Sequence, residues 1–353
     1  MAGDRAIFLA EPRERDRTRL RIEPVLGPLR ELARRAALSP GGASLAEVTL
    51  RELPRSFLGR VRLARECRDA TLVLPARLLS WPALAMLRSA AGRLILDLDD
   101  AMGEVPDDRP IADSPTRRGR LRRTLAVVDL VTTGSDSLAA MVRARGPADL
   151  AITTIPNPSP LTASALTLRP SPEPTLLWIG SRSTRPYLDA LRPALEELAA
   201  EVPGLTLRVI ADAGAIADER ARAPGALRVD IRRWSETEAA RGLSEAWLGL
   251  MPLGATAWSR GKSGYKLLQY MAAGLPALAT AGGVADELLP ANSPGLVRDP
   301  EGWGAAARRL LADQDLRRRE GLANRRRVEQ RYTPERIAER WLAALSESGQ
   351  RAR

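Results

Sequence analysis

Prolines divide this chain of 353 residues into two parts. The sequence reads Pro156-Asn157-Pro158-Ser159-Pro160 and, further on, Pro170-Ser171-Pro172-Glu173-Pro174. Proline fixes its own φ angle and has no amide hydrogen to donate, so neither a helix nor a sheet ladder continues through such a stretch. The stretch therefore predicts a linker, and each flanking part must fold around a core of its own.

Strand and helix patterns alternate on both sides of this linker, which is typical of parallel α/β sheets. Short apolar segments predict strands at residues 6–10, 47–53, 70–74, 94–97, 130–133, 151–155, 175–180, 205–210, 227–231, 247–251, 276–279 and near 296. We therefore predict an α/β fold of two doubly wound, Rossmann-like domains that face a cleft. The predicted boundaries are 1–157 for the first domain, 158–174 for the linker, 175–332 for the second domain, and 333–353 for a final helix that crosses back.

Composition removes several kinds of chemistry. The chain has no histidine and a single cysteine, Cys67, which excludes His-dependent triads, His-ligated zinc and an internal disulfide framework. Any metal would need oxygen ligands, as Mg²⁺ or Mn²⁺ do. The first apolar run is too short and too charged to predict a signal peptide, and no apolar run reaches about 18 residues. We therefore expect a cytoplasmic protein.

Charge favours anionic partners. The net charge of +11 fits nucleic acid, an anionic membrane face or anionic substrates. Aromatic residues make up only 4% of the chain and do not interleave with the arginine clusters, so binding of single-stranded nucleic acid is not expected.

Lysine is confined to one short segment. Only two of the 54 basic residues are lysines, Lys262 and Lys266, and they lie close together. A lysine is a compact point charge, whereas an arginine needs room for a planar fork. We interpret these two lysines as cations that meet an anion, most simply a phosphate, in a narrow site. The alternative is chance clustering of two surface lysines.

The local pattern around the lysines predicts a helix that begins at Ser263 and ends before Gly274. Helical spacing then places four polar side chains on one stripe near the helix start: Lys262, Tyr265, Lys266 and Gln269. The free N–H groups and dipole of a helix start favour an anion, so this stripe suits a nucleotide diphosphate and its ribose.

The stretch Gly261-Lys262-Ser263-Gly264-Tyr265-Lys266-Leu267-Leu268-Gln269-Tyr270-Met271-Ala272-Ala273-Gly274-Leu275-Pro276 resembles the donor-binding segment of glycosyltransferase family 4, or glycosyltransferase group 1. Members of that family have the GT-B fold and transfer sugars from nucleotide-sugar donors with retention of configuration. The resemblance implies that the donor is a substrate, that no obligatory metal is needed, and that the donor is bound by Gly180, Ser181, Arg182, Gly261, Ser263, Gly264, Tyr265, Gln269, Gly282, Gly283 and Glu287.

Three positions depart from the family pattern. The family commonly has two glutamates eight positions apart, and Gly261 and Gln269 stand in their places. Ser181 stands where an arginine that holds the diphosphate is expected, with Arg182 and Arg185 nearby. We therefore expect Lys262 and Lys266 to neutralise the phosphates and to act as catalytic residues through the charge of the leaving group. A nucleotide-sugar-binding relative without activity remains the alternative.

Acidic residues end a strand of the first domain. Asp99 and Asp100 follow the apolar segment 94–96 and are candidate catalytic residues that bind acceptor hydroxyls or assist proton transfer. Two other interpretations stay open: Asp97-Leu98-Asp99 as the metal-binding motif of GT-A glycosyltransferases, or helix capping and ion pairs with Arg109 or Arg117. Near the first strand, Arg17, Arg19 and Arg21 either meet the diphosphate or an anionic acceptor, or form solvated surface.

We therefore expect a retaining glycosyltransferase. Its first domain would bind the acceptor, which is a glycan, a lipid-linked sugar or a small molecule. The arginine-rich segment 117–123 suggests peripheral contact with the anionic inner face of a membrane. A nucleic-acid-binding protein is the less favoured alternative, because only the high pI of about 10.9 supports it.

Overall fold

Two parallel six-stranded sheets form the framework of the molecule. A computed structural model describes residues 5–10, 20–38, 45–54, 56–75, 79–105, 107, 114–160, 166–220 and 225–347. The sheets lie on either side of the proline-rich linker, and every strand pair within them is parallel. The predicted α/β architecture of two doubly wound domains is confirmed.

The first sheet has the strand order β2-β1-β3-β4-β5-β6. Its strands are β1 Arg5–Ala10, β2 Glu47–Glu52, β3 Thr71–Leu74, β4 Arg93–Leu98, β5 Leu130–Thr133 and β6 Ala151–Thr154. The helices described between them are α1 Glu23–Ala37, α2 Phe57–Glu66, α3 Trp81–Ala90, α4 Pro115–Leu125 and α5 Asp136–Arg143. Strands β3 and β4 are buried along their whole length, because apolar clusters cover both faces of the sheet.

The second sheet has the strand order β12-β11-β10-β7-β8-β9. Its strands are β7 Thr175–Gly180, β8 Thr206–Ala211, β9 Arg228–Arg233, β10 Leu248–Met251, β11 Ala277–Thr280 and β12 Leu296–Val297. The helices described around it are α6 Arg185–Glu201, α7 Ala213–Arg220, α8 Glu236–Glu245, α9 Ala257–Arg260, α10 Tyr265–Ala273, α11 Val284–Leu288, α12 Gly302–Ala312 and α13 Gln314–Arg331. A 3-10 turn at Arg182–Thr184 precedes α6.

The last described helix, α14 Pro334–Ser346, packs against the first domain. Trp341 is fully buried there, with its ring edge on Phe8 at 5.0 Å between centroids. The guanidinium of Arg93 donates a hydrogen bond of 2.8 Å to the carbonyl of Ala344. The apolar face of α14 is therefore buried against α1 and the first sheet, and it ties the end of the chain to the first domain.

The strand order of the second sheet reverses between β7 and β10. From β7 the chain proceeds through β8 to β9 on one side, whereas β10, β11 and β12 follow on the other. Ligands of open α/β sheets bind outside the carboxyl ends of the strands at such a switch point, because the two connections leave in opposite directions. None of the helices in the described part of the chain combines the length and apolar character needed to cross a bilayer.

Candidate functional site: a cationic cavity in the second domain

A cavity of about 220 Å³ lies at the carboxyl ends of β7 and β10, at the switch point of the second sheet. Its walls come from the segments that follow these two strands. The lining residues are Trp178, Ser181, Ser183, Thr184, Met251, Pro252, Leu253, Lys262, Ser263, Gly264, Tyr265 and Lys266. Both lysines of the chain therefore face the same space.

The backbone before α10 differs from the predicted helix start. Residues 257–260 form the short helix α9, and α10 begins at Tyr265 rather than at the predicted Ser263. Gly264 is the N-cap of α10 and has a left-handed backbone with φ of +70°. Lys262 thus lies on the connection between two helices, and Lys266 is the second residue of α10. The end of α10 at Gly274, with φ of +77°, agrees with the prediction.

Lys266 points across the cavity to the loop after β7. Its Nζ donates a hydrogen bond of 2.8 Å to Oγ1 of Thr184 and lies 5.2 Å from the ring centroid of Trp178. Burial, and then the charge of Lys262, lower the pKa of Lys266 to about 7. Gly180 makes room for this aromatic ring, because a Cβ there would lie 2.0 Å from Cη2 of Trp178.

Lys262 lies against an aromatic ring and a carboxylate. Its Nζ is 4.2 Å from the ring centroid of Trp258 and 3.3 Å from Oδ1 of Asp100. Trp258 belongs to α9 of the second domain, whereas Asp100 follows β4 of the first domain. The Lys262 side chain is 19% exposed and that of Asp100 15%, so this pair between the domains is largely shielded from water.

Hydroxyl groups form the wall opposite the lysines. The Oγ atoms of Ser181 and Ser183 are 3.0 Å apart, and the amide of Ser181 donates to Oγ1 of Thr184 at 3.2 Å. Two ammonium groups, three hydroxyls and an aromatic face suit an anion with several oxygens, because each oxygen can accept a charge-assisted or neutral hydrogen bond. The side chains that line the cavity are therefore chemically suited to a phosphate-like group.

The arginines near Ser181 turn away from this cavity. The Arg182 side chain is 71% exposed, with Nε 3.2 Å from Asp218. Arg185 forms ion pairs with Asp189 at 3.3 Å and with Glu219 at 3.5 Å. Of the predicted diphosphate partners in this loop, Ser181 lines the cavity and Arg182 lies outside it.

The remaining predicted donor residues are divided between turns and the domain interface. Gly261 packs against the first domain, since a Cβ there would lie 2.4 Å from Cβ of Ala101. Gly282 and Gly283 have φ angles of +99° and +70° and make the turn into α11. Gln269 is half-buried one turn beyond Lys266, and it is not among the described residues that line the cavity.

Glu287 reaches the first domain instead of the cavity. Its carboxylate accepts hydrogen bonds from the amides of Asp136, at 2.9 Å, and Ser137, at 3.0 Å. These amides belong to the first turn of α5, so Glu287 of one domain caps a helix of the other. Burial raises the pKa of Glu287, although these amide hydrogen bonds oppose that shift.

Asp97, near the carboxyl end of β4, is neutralised within the first domain. Arg21 donates two hydrogen bonds to Asp97, of 2.7 and 2.6 Å, and Thr132 donates a third of 2.6 Å. Burial opposes the charge of Arg21, yet Asp97 and Asp99 raise its pKa above the usual value. Asp99 is buried beside this pair. The GT-A interpretation of Asp97-Leu98-Asp99 is wrong, because the chain forms two separate parallel sheets. Arg17, Arg19 and Arg109 lie outside the described residues.

Two contacts between the domains have no clear signal in the sequence. Asp107 accepts hydrogen bonds from the hydroxyls of Tyr187 and Ser259, both at 2.6 Å, and from Thr256 at 2.8 Å. The side chain of Asn157 donates to Oγ of Ser263 at 2.8 Å. Both contacts join residues more than 75 positions apart, and neither belongs to a local motif.

Several solved structures are similar in fold to this molecule. HepE of Anabaena, solved with UDP and glucose, is 15% identical over 98% of this chain and 100% of its own, with a TM-score of 0.66. Sucrose-phosphate synthase from Thermosynechococcus elongatus is 16% identical over 97% and 98%, with a TM-score of 0.65. TarM is 15% identical with a TM-score of 0.63; the match covers 82% of this chain but 58% of TarM. The molecule thus has the GT-B fold.

Residues 173–313 match the family model of glycosyl transferases group 1. No curated protein matches the chain by sequence. The matched residues include β7, the switch-point cavity and both lysines. The resemblance predicted from the sequence is therefore confirmed, and it rests on the second domain for sequence and on both domains for fold.

Proposed function

We propose that this protein transfers a sugar from a nucleotide-diphosphate donor, with retention of configuration, to an acceptor bound by the first domain. The observation that carries the proposal is the pair of ammonium groups, Lys262 and Lys266, in a cavity at the switch point of a group 1 domain. HepE solved with UDP and glucose, and a TarM variant solved with α-GlcNAc-glycerol and UDP, support this class of ligands.

In the proposed reaction the bond between the anomeric carbon and the phosphate oxygen breaks while a bond to the acceptor oxygen forms. The acceptor proton passes to an oxygen of the leaving diphosphate on the same face of the sugar, so no protein nucleophile is needed. The ammonium groups stabilise the negative charge that grows on the diphosphate, and they do so from fixed positions in a partly dry site. In this proposal they neutralise the charge without a metal ion.

The acceptor side of the proposal rests on the first domain. Asp99 and Asp100 lie at the carboxyl end of β4, and Asp100 reaches the lysines of the donor side. Helix α4 exposes Arg118, Arg120, Arg122 and Arg123 and contains no acidic residue. Such a cationic face attracts anionic lipid, so a lipid-linked acceptor and peripheral membrane contact form part of the proposal.

An inactive nucleotide-sugar-binding relative is the second candidate, and one observation favours it. Gly261 stands where the family has a glutamate, and the contact with Ala101 leaves no room for a longer side chain. Transfer or hydrolysis of a bound donor by the purified protein supports the enzyme, and binding without turnover supports the relative.

Thermal stabilisation by a panel of UDP-, GDP- and ADP-sugars tests donor binding, since a ligand of the native state raises the melting temperature. For the best donor we expect Lys262→Met and Lys266→Met each to weaken binding about 30-fold, roughly 2 kcal/mol, because a shielded phosphate then lacks a counter-charge. Arg182→Met is the matched control, since it removes an adjacent cation that faces away, and we expect less than a twofold change. Parental affinity in both lysine variants contradicts the site.

A further inference from the structure

Asp100 brings a negative charge from the first domain to the cationic cavity of the second. Its Oδ1 lies 3.3 Å from Nζ of Lys262, which itself lines the cavity. The Asp100 charge also acts on Lys266, because it is one of the charges that favour the protonated form of that lysine. One carboxylate of the acceptor side thus interacts with both cations of the donor side.

Lys262 also has contacts other than this carboxylate. The amide of Lys262 donates a hydrogen bond of 3.2 Å to the carbonyl of Ser259, and Nζ lies over the Trp258 ring within the same domain. Gly261, the preceding residue, packs on Ala101. Backbone and aromatic contacts therefore hold Lys262, and the main effect of Asp100 is electrostatic.

We infer that Asp100 and the diphosphate of a donor compete for Lys262, so that the bound donor replaces an ion pair between the two domains. The inference rests on the proposed function, because it concerns the same anion site. A phosphate oxygen that contacts Lys262 comes within a few ångströms of the Asp100 carboxylate, and like charges at this distance repel strongly in a shielded site. A diphosphate carries more negative charge than one carboxylate and therefore wins at sufficient concentration.

Two consequences follow for the reaction. The displaced Asp100 carboxylate gains freedom on the acceptor side at the moment when the donor is in place. Binding free energies are reciprocal, so a donor that weakens the contact between the domains is itself bound more weakly because of that contact. Asp100 thus lowers donor affinity and couples donor binding to the state of the acceptor side.

Isothermal titration with inorganic pyrophosphate at pH 6 tests the competition, because this pH lies below the Lys266 pKa of about 7. We expect Asp100→Asn to bind pyrophosphate about tenfold more tightly than the parent. Glu287→Gln is the matched control, because it removes another carboxylate that joins the two domains at α5 but does not contact the lysines. We expect its affinity to stay within twofold of the parent.

The Lys262→Met background identifies the cation involved. There the Asp100→Asn substitution should change pyrophosphate affinity less than twofold, because the group for which the anions compete is missing. Unchanged or weaker binding by Asp100→Asn in the parental background overturns the inference, as does an absence of pyrophosphate binding. Equal tightening by Glu287→Gln also overturns it, since loosening of the interface then explains the effect.

A nucleotide sugar as the second probe separates this inference from the proposed function. If pyrophosphate responds as expected and no nucleotide sugar of the panel binds, the proposed function fails and the competition stands. If nucleotide sugars bind the parent and Asp100→Asn tightens neither probe, the competition fails and the proposed function stands.

Discussion

The carboxyl ends of the two sheets present charge in opposite ways. At the first sheet, Asp97 is matched by Arg21 within the same domain, and Thr132 completes its hydrogen bonds. At the second sheet, Lys262 and Lys266 face a cavity, and their partners are aromatic rings, one hydroxyl and a carboxylate from the other domain. The charge of Asp97 is thus matched within its own domain, whereas the two lysines carry an excess of positive charge toward the cavity. Of these two sheet edges, the candidate ligand site lies at the one where the described ion-pair partner of a charged side chain comes from the other domain.

If the Arg21–Asp97 pair stabilises the first domain, its removal should lower the free energy of unfolding. Arg21→Ala leaves the Asp97 carboxylate buried without its counter-ion, and it also removes hydrogen bonds to Asn157 and to the carbonyl of Ile155. We expect a loss of about 3–5 kcal/mol in the unfolding free energy of the first domain. Urea unfolding followed by circular dichroism measures it.

Arg34→Ala provides the comparison for this substitution. Arg34 also pairs with a carboxylate, Glu31 at 3.0 Å, but its side chain is 67% exposed. An exposed pair contributes less than about 1 kcal/mol, so this variant should unfold almost as the parent does. Similar losses in the two variants would contradict a special role for the buried pair.

Local patterns in the sequence determine most of the fold. Short apolar segments between helical patterns are sufficient to locate the strands, because a parallel sheet buries its strands on both faces. Ser135 marks the start of α5, where its side chain accepts the amide of Leu138. The start of α10 could not be located in this way: a serine is a good N-cap, but Gly264 takes that place, and the Ser263 hydroxyl accepts a hydrogen bond from Asn157.

Residues of the candidate site that stand out by residue type could be predicted from the sequence. Residues whose roles depend on tertiary contacts could not. The two lysines stand out by residue type, and both line the cavity. The roles of Arg21, Glu287 and Asp107 depend on partners in distant segments, and no spacing in the sequence indicates them. Arg21 was a candidate for the diphosphate, and its buried pairing with Asp97 corrects that expectation.

Donor binding at the two lysines should depend on pH, because Lys266 has a pKa of about 7. Only the protonated amine attracts a diphosphate, so donor affinity should be constant below pH 6 and fall up to tenfold per unit above pH 7. Between pH 6 and pH 9 we expect a loss of about 30-fold, roughly 2 kcal/mol, the same as for removal of the charge by Lys266→Met. Calorimetry with a nucleotide sugar measures it, since each phosphate of such a diester keeps one charge across this range.

The charged groups around Lys266 define the controls for this titration. Lys262, Asp212 and Asp100 act on its pKa, so substitution of any one of them shifts the midpoint but does not remove it. Lys266→Met should bind weakly at every pH, with a flat profile. A flat profile in the parent would show that Lys266 stays charged in the cavity, and the contrast with the first sheet would then lose its main support.

The smallest expected effect concerns the hydrogen bond from Asn157 to Ser263, which joins the Arg21–Asp97 network to the cavity wall. Asn157 accepts from Arg21 at 2.9 Å and donates to Ser263, so the closed network of the first domain extends to one wall of the cavity. A double-mutant cycle of Asn157→Ala and Ser263→Ala should give a coupling energy of about 1 kcal/mol, the usual contribution of one neutral hydrogen bond. Ser263→Ala alone should cost less than Asn157→Ala, because only the latter leaves a guanidinium N–H of Arg21 without its acceptor. Additive losses would mean that the network ends within the first domain, and that the two sheet edges are energetically independent.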